Sequence, residues 1–226
     1  MKKLMKTLYI FLLCLPFSMT AQRWSAGLIL GGSNYQGDLV ETQVLPRETN
    51  LAYGGFARYA VSSKFSIKAN VFKGMLSGSD LNFPGRNARG YSFKTDILQA
   101  GMNIEWHILG KNRFDKKGTF AKNFTPYIYT GIGAVMFKPK VYAVNLDSPY
   151  EGQEYGVFNF TVPFGGGLKY DISKDYTIGV DFVTYLPFTD FMDGISLQGS
   201  NNDWFMMGGV TVSKWFGVPK SRRYDQ

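Results

Sequence analysis

The stretch over residues 158–186 constrains the fold more than any other part of the sequence, because apolar residues recur at every second position in two consecutive arms. The first arm carries Phe158, Phe160, Val162, Phe164, Leu168 and Tyr170, and the second carries Tyr176, Ile178, Val180 and Phe182. The intervening positions are mostly polar residues and glycines, such as Lys169, Gly179 and Asp181. This alternation predicts two β-strands whose faces meet different surroundings. The polar sequence DISKD between the arms predicts a tight turn, and therefore an antiparallel hairpin.

Two kinds of sheet are compatible with this hairpin. A soluble eight-stranded barrel, such as a lipocalin, buries its apolar face, whereas a transmembrane barrel turns that face toward lipid. Each arm reaches the roughly 10 residues that a tilted strand needs to cross a bilayer. Polar residues recur on the second face of several strands, at Arg58, Lys68, Asn70, Gln99, Asn103, Glu105, Lys169 and Asp181. They favour the transmembrane barrel, in which they pair as a plug because so small a barrel has no room for a water-filled pore.

The N-terminus is typical of an exported protein. Residues 1–21 combine three lysines, a short apolar run and small residues before a cleavage site after Ala21, which predicts a signal peptide. Cys14 lies inside that apolar run, so the mature chain has no cysteine and no disulfide. We predict a single barrel domain over residues 22–217 and a basic periplasmic tail over 218–226. The predicted location is the outer membrane of a Gram-negative bacterium, where the barrel contacts outer-membrane lipids.

The remaining alternating segments predict an all-β, antiparallel, up-and-down barrel. Eight strands are expected at about residues 24–34, 51–61, 65–76, 98–107, 125–137, 158–170, 176–186 and 203–216. Long loops follow the first, third, fifth and seventh strands, at about 35–50, 77–94, 138–156 and 187–202. This places the long loops outside the cell, with the short turns and both termini in the periplasm. For the fifth strand, the sequence does not decide which face points inward, because both of its faces are largely apolar.

Individual residues refine this barrel. Pro163 has no amide hydrogen for the ladder, so we predict a local bulge there. Aromatic residues at strand ends are candidates for interfacial girdles: Trp24, Tyr59, Trp106, Tyr127, Tyr170, Tyr176, Tyr185, Trp204 and Trp215.

Charge is sorted between the two ends of the predicted barrel. Counted with Asp203 and Lys214 at the two ends of the eighth strand, the long loops carry a net charge of −4, whereas the short turns and the tail carry +7. Six bases cluster near one turn and the chain end: Lys111, Arg113, Lys116, Lys117, Arg222 and Arg223. They either solubilise the turns or form a dock for an acidic periplasmic partner. No basic run interleaved with aromatics indicates a nucleic-acid surface.

The sequence offers little for catalysis or metal binding. His107 is the single histidine, and it shares a strand face with Glu105 near the periplasmic rim. Some small outer-membrane barrels hydrolyse lipids with His, Ser and an acid, but this histidine is predicted to point inward, away from lipid. Asp190 and Asp193 lack the other ligands of a calcium loop, so we expect no metal and no cofactor.

Several stretches together resemble the PorG-like outer-membrane proteins associated with type IX secretion. They are GGSNYQGDL (31–39), YSFKTDILQAGMNIEWHIL (91–109), TPYIYTGIG (125–133), PFGGGLKYDISKDYTIGVDF (163–182) and LPFTDFMDGIS (186–196). The resemblance implies a small barrel without catalytic residues that associates with the periplasmic, lipoprotein-containing ring of that machine. Two blocks carry the family pattern in outward-facing loops: Gly31, Gly32, Tyr35, Gly37 and Asp38, then Thr189, Asp190 and Asp193.

Three functions remain open at this point. The first is a non-enzymatic component of a secretion machine. The second is a small porin or transporter for apolar solutes. The third is a lipid-modifying barrel enzyme.

Overall fold

A computed structural model of the chain describes residues 23–36, 46–80, 90–115, 118–143, 157–188 and 203–216. The eight strands are β1 (Trp24–Gln36), β2 (Asn50–Ala60), β3 (Phe65–Ser79), β4 (Tyr91–His107), β5 (Phe124–Ala143), β6 (Val157–Asp171), β7 (Tyr176–Pro187) and β8 (Trp204–Trp215). Each strand pairs antiparallel with its neighbours in chain order, and β1 pairs with β8 to close the barrel. A short 3-10 helix covers Pro46–Glu48. This confirms the predicted up-and-down barrel. The signal peptide at 1–21 and the tail at 218–226 lie outside the described residues.

The two faces of the sheet have opposite chemistry. Large apolar side chains project outward, with Leu28, Ile132 and Phe160 exposed by 71%, 74% and 65%. All eight residues predicted to plug the interior are buried: Arg58, Lys68, Asn70, Gln99, Asn103, Glu105, Lys169 and Asp181. An apolar exterior around a closed ladder is the arrangement that a bilayer requires, because a closed sheet has no edge strand whose backbone groups would face lipid without a partner. The protein is therefore an outer-membrane barrel. No helix among the described residues is long and apolar enough to span a membrane.

The structure decides the open orientation of β5. Tyr127, Tyr129, Val135 and Phe137 face the interior at 4% exposure or less. Ile128, Ile132 and Met136 face outward. Tyr127 is therefore a lumen residue, and its prediction as a girdle aromatic is wrong. The same correction applies to Tyr185 and Trp215, which are also buried inside. The outward aromatics include Trp24, Trp106, Tyr170, Tyr176 and Trp204, as predicted.

Strands β3, β4 and β5 are longer than predicted. β4 has 17 residues and β5 has 20, well beyond the roughly 10 that a tilted strand needs to cross a bilayer. The loops predicted over 77–94 and 138–156 are correspondingly shorter. Charges at Lys94, Lys138 and Lys140 interrupt the apolar series and suggest a loop in the sequence, yet the β4–β5 ladder continues through all three.

The predicted bulge at Pro163 is wrong. The pairing of β5 with β6 omits two positions between Thr130↔Phe164 and Gly133↔Thr161, and the register is the same on both sides. No residue is therefore inserted. The carbonyl oxygen of Pro163 instead accepts a hydrogen bond from the Thr130 hydroxyl at 2.9 Å. A side chain satisfies the backbone acceptor where the ladder is interrupted.

Candidate functional site

Glu105 is the centre of a charge cluster inside the barrel. It is fully buried on β4, and its carboxylate accepts hydrogen bonds from Arg58 Nε and Nη2 at 2.7 and 2.9 Å. Lys169 Nζ lies 3.1 Å from Oε2, and Lys68 Nζ lies 3.7 Å from Oε1. The three cations come from β2, β6 and β3. One carboxylate therefore connects strands that are not adjacent in the sheet.

Asp181 on β7 is the second anion of this cluster. Its Oδ2 atom accepts from Lys68 Nζ at 2.7 Å and from the Tyr127 hydroxyl at 2.8 Å. Its Oδ1 atom accepts from the Tyr129 hydroxyl at 2.6 Å. Lys68 and Lys169 also lie 4.3 Å from the ring centroids of Tyr129 and Tyr127, respectively, as cation–π pairs. We call Arg58, Lys68, Glu105, His107, Lys169 and Asp181 the lumen network.

Neutral amides continue this packing along the barrel axis. Asn70 donates to Gln99 Oε1 at 2.8 Å, and Asn103 donates to Asn70 Oδ1 at 2.9 Å. The Tyr185 hydroxyl lies 3.3 Å from the same Gln99 oxygen. The interior polar side chains are thus bonded largely to one another, as predicted for a plugged small barrel.

His107 lies inside the barrel, as predicted, at 8% exposure. Its Nε2 atom is 2.8 Å from Lys169 Nζ, and its Nδ1 atom is 3.3 Å from the carbonyl oxygen of Ser63. Lysine can only donate, so this geometry assigns a neutral imidazole whose Nδ1–H donates to Ser63.

Ser66 and Glu105 give His107 a superficial likeness to a hydrolase triad. Both Ser66 Oγ and Glu105 Oε2 lie 3.4 Å from the same ring nitrogen, Nε2. A working triad needs the acid on one ring nitrogen and the nucleophile on the other. Ser66 is also fully buried inside the barrel, so its hydroxyl does not face lipid. The geometry does not match a lipid hydrolase.

The short turns meet at one end of the barrel, which we call the short-turn rim. The connection over residues 110–123 crosses this rim as a small folded segment. Phe114 and Phe120 form an isolated β-bridge with their rings 5.9 Å apart. Ala121 N–H donates to the carbonyl of Arg113 at 3.0 Å, and Gly118 has a φ of 78° that suits a tight turn. The predicted docking segment therefore has a defined conformation in its described part.

Arg113 fastens this segment to the barrel. Its Nε atom lies 3.1 Å from Asp171 Oδ2, and its guanidinium carbon lies 4.2 Å from the Trp215 ring centroid. The same side chain donates to the carbonyls of Ser173 and Lys174 at 3.3 and 3.1 Å. Burial lowers the pKa of Arg113 from its ordinary value, and the Asp171 carboxylate opposes that shift. Arg113 is thus a structural residue of the rim rather than a free surface cation.

A cavity of about 290 Å³ opens between this segment and the lumen network. Its lining includes Arg23, Lys111, His107, Lys169 and Asp171. Lys111 is exposed at the cavity edge, as a docking residue requires. The other predicted docking residues, Lys116, Lys117, Arg222 and Arg223, lie outside the described residues.

The family-pattern residues that are described lie in β1, not in the loop that we predicted. Gly31 faces Gly209 of β8 so closely that a Cβ atom would lie 1.9 Å from the Gly208 carbonyl oxygen. Gly32 faces Gly208 in the same ladder. Tyr35 is buried, donates to Asp203 and packs edge-on against Phe93. These residues therefore form the β1–β8 seam. The remaining pattern residues, Gly37, Asp38, Thr189, Asp190 and Asp193, lie outside the described residues.

Sequence reasoning missed the two tyrosines, Tyr127 and Tyr129, whose hydroxyls donate to Asp181 of the lumen network. Tyr127 and Tyr129 alternate with residues that are equally apolar. The alternation alone therefore does not show which of the two faces points inside. Their pairing across β4 was the available signal, because Glu105 lies opposite Tyr129 and His107 lies opposite Tyr127. Residues paired across a ladder share a face.

Several solved outer-membrane proteins resemble this barrel. A major outer membrane protein from Thermus thermophilus aligns with a TM-score of 0.49 and 11% identity, covering 84% of this chain and 98% of that one. Ail, the attachment invasion locus protein of Yersinia pestis, aligns with a TM-score of 0.48 and 10% identity, covering 85% and 97%. Neisserial surface protein A aligns with a TM-score of 0.47 and 9% identity, covering 85% and 97%.

A search of curated protein sequences found no significant match. One family model does match, over residues 2–220, and its description is a domain of unknown function, DUF6089. The match covers nearly the whole chain, so the protein belongs to the DUF6089 family.

Proposed function

We propose that this barrel is a non-enzymatic component of a type IX protein secretion machine, and that its short-turn rim docks a periplasmic lipoprotein ring. The resemblance of five sequence blocks to PorG-like proteins supports the assignment to that machine. The orientation follows the usual topology of such barrels, with short turns and both termini in the periplasm.

The observation that carries the docking role is the folded basic segment across the rim. Arg113 holds it in place through Asp171 and Trp215, while Lys111 stays exposed beside the cavity. Lys116 and Lys117 follow within the same connection. A positively charged surface with a fixed backbone favours an acidic partner, because charge complementarity speeds association and little ordering is needed on binding.

The contacts inside the barrel support a structural role for the lumen network. Cations and anions of the lumen network pair with one another, and His107 does not share a triad geometry with Ser66 and Glu105. The interior therefore holds the wall together, and the partner contacts belong to the rim.

The test is co-purification of crosslinked complexes from whole cells carrying Lys111→Ser/Lys116→Ser/Lys117→Ser. Arg113 stays intact in this variant, so the segment keeps its attachment to the barrel. We expect recovery of the periplasmic ring to fall roughly tenfold at low salt. The matched control is Arg47→Ser/Arg86→Ser/Arg89→Ser, which removes three positive charges from the predicted long loops. Unchanged recovery in the lysine variant, or an equal loss in the control, contradicts the docking role.

A further inference from the structure

The outward-facing charges of the described strands are not scattered. Five of them lie together on three adjacent strands at the long-loop end: Lys73, Lys94, Asp96, Lys138 and Lys140. Lys214 alone lies at the other end of the barrel, and the described outward positions of β1, β2, β6 and β7 are uncharged. A lipid-facing charge is costly near the middle of the bilayer, so such a cluster needs a particular position or a particular ligand.

The ladder register places this cluster at the edge of the apolar band. Trp106 and Asp96 lie on the outward face of β4, about ten residues apart, which corresponds to roughly 26 Å along the bilayer normal at a tilt of about 40°. Tyr53 lies directly opposite Lys73, and Lys138 lies directly opposite Asp96. Transmembrane barrels have an apolar band about 25 Å tall. The lysines are therefore at the depth of lipid headgroups.

Positive charge exceeds negative charge at this place. The group contains four lysines and one aspartate. Lys73, Lys94 and Lys138 form no ion pair with any other residue of the described chain. The surplus is available to an anion from the surroundings. An anion at headgroup depth beside a lipid-facing wall belongs to a lipid.

A cleft runs from the lysines toward the middle of the bilayer. Lys73, Lys138 and the single acidic residue Asp96 flank a depression of about 380 Å³ whose outward walls include Leu98, Met136 and Phe158. The next rows of the same strands line a second depression of about 800 Å³, which includes Ala100, Ala134, Met102, Ile132 and Phe160. Leu98, Ala100 and Met102 follow one another on the outward face of β4, so the two depressions are consecutive. The chemistry suits an amphiphile with an anionic head and apolar chains.

We infer that this face of β3–β5 binds lipid A, the phosphorylated glycolipid of the outer leaflet. Lys73 and Lys138 each hold a phosphate, on either side of Asp96, and one acyl chain follows the cleft past Leu98 and Met136. The two lysines are two strand spacings apart and offset by two residues along the strands, roughly 12 Å between their Cα atoms, which suits a headgroup with more than one phosphate. The choice of the outer leaflet uses the orientation proposed above. Binding to the isolated barrel does not depend on any secretion partner.

The test is native mass spectrometry of the purified full barrel in mild detergent. Lipid A, lipid A with its phosphates removed, phosphatidylglycerol and phosphatidylethanolamine are each added. We expect the wild type to retain intact lipid A, with much weaker retention of the other three. Lys73→Ser/Lys138→Ser should bind lipid A roughly thirtyfold more weakly, since each lysine near an anionic headgroup contributes about fivefold.

Two further variants distinguish binding at this site from a general effect of positive charge and from loss of binding through misfolding. Lys64→Ser/Lys214→Ser removes two cations at the short-turn end and should bind lipid A like the wild type. Lys73→Arg/Lys138→Arg keeps both charges and should also retain binding. The proposal is overturned if the Lys73/Lys138 serine variant binds lipid A as well as the wild type does, or if the Lys64/Lys214 variant loses binding. It is also overturned if the wild type retains dephosphorylated lipid A equally well or prefers phosphatidylglycerol.

Discussion

The lumen network and the outward lysines of β3–β5 contain the same kinds of side chain, but their surroundings differ. In the lumen, Lys68 lies 2.7 Å from Asp181, and Arg58 lies 2.7 Å from Glu105. On the outward face, Lys73, Lys94 and Lys138 form no ion pair with any other described residue. Lys68 and Lys73 belong to the same strand, five residues apart, and they occupy opposite faces. The face on which a charged residue lies therefore decides whether it stabilises the barrel wall or remains available to a ligand.

The largest expected effect is at Glu105. Replacing Glu105 with Gln keeps the shape but leaves Arg58, Lys68 and Lys169 close together without their central anion. Breaking one partner out of a buried ionic group typically costs about 3–5 kcal/mol, and we expect the free energy of unfolding to fall by about that amount. Urea unfolding of the barrel in lipid vesicles measures it.

Asp96→Asn is the matched control, because Asp96 is a carboxylate of the same strand on the outward face. We expect it to change the free energy of unfolding by less than about 1 kcal/mol. Similar losses for the two variants would break the distinction between the two faces.

A smaller effect is expected for a pair of lysines on β3. Lys68→Met removes one partner of Asp181, whose carboxylate keeps the two tyrosine hydroxyls, so we expect a loss of about 2–3 kcal/mol. Lys73→Met places an apolar side chain against lipid and should be neutral or slightly stabilising in phosphatidylcholine vesicles. Unfolding of both variants under identical conditions checks the difference. A loss at Lys73 as large as that at Lys68 would show that the outward lysines also support the wall.

The smallest effect concerns an outward polar group that is satisfied by the backbone. Thr130→Val removes the hydroxyl that donates to the Pro163 carbonyl, and we expect a loss of about 1 kcal/mol because that acceptor then lacks a partner. Thr184→Val, on the outward face of β7, is the control and should have little effect. Equal effects would mean that Pro163 does not depend on Thr130.

The architecture could be predicted because it depends on parity over many residues. Over residues 158–186 the alternation defines both the hairpin and its faces, and the polar residues from Arg58 to Asp181 that were predicted to plug the interior are all buried as expected. Alternation does not predict which face points inward where both faces are apolar, as around Tyr127. There the hydrogen-bond partner of the side chain, Asp181, indicates that it points inward. Alternation also fails at Lys94 and Lys138, where charge imitates a loop although the ladder continues.

The candidate sites were less accessible to sequence reasoning, because they depend on distances between strands that are far apart in the chain. The structural role of Arg113 depends on its contacts with Asp171 and Trp215, whereas the sequence shows only its positive charge. The outward cluster of charges can be recognised only from the strand register, which places Lys138 opposite Asp96.

The glycine contacts between β1 and β8 have a consequence for assembly in the membrane. The strands β1 and β8 are joined by nearly the whole barrel sequence, so their pairing through Gly31 and Gly209 is the least local strand pairing of the sheet, and contacts of this kind form slowly. Until they form, the first and last strands are two open edges that can pair with any other exposed strand. Because the backbones at Gly31 and Gly208 meet without room for a side chain, a misaligned closure would bring a bulkier residue into that gap. We therefore expect the close approach at Gly31 to favour the correct register of closure over shifted ones.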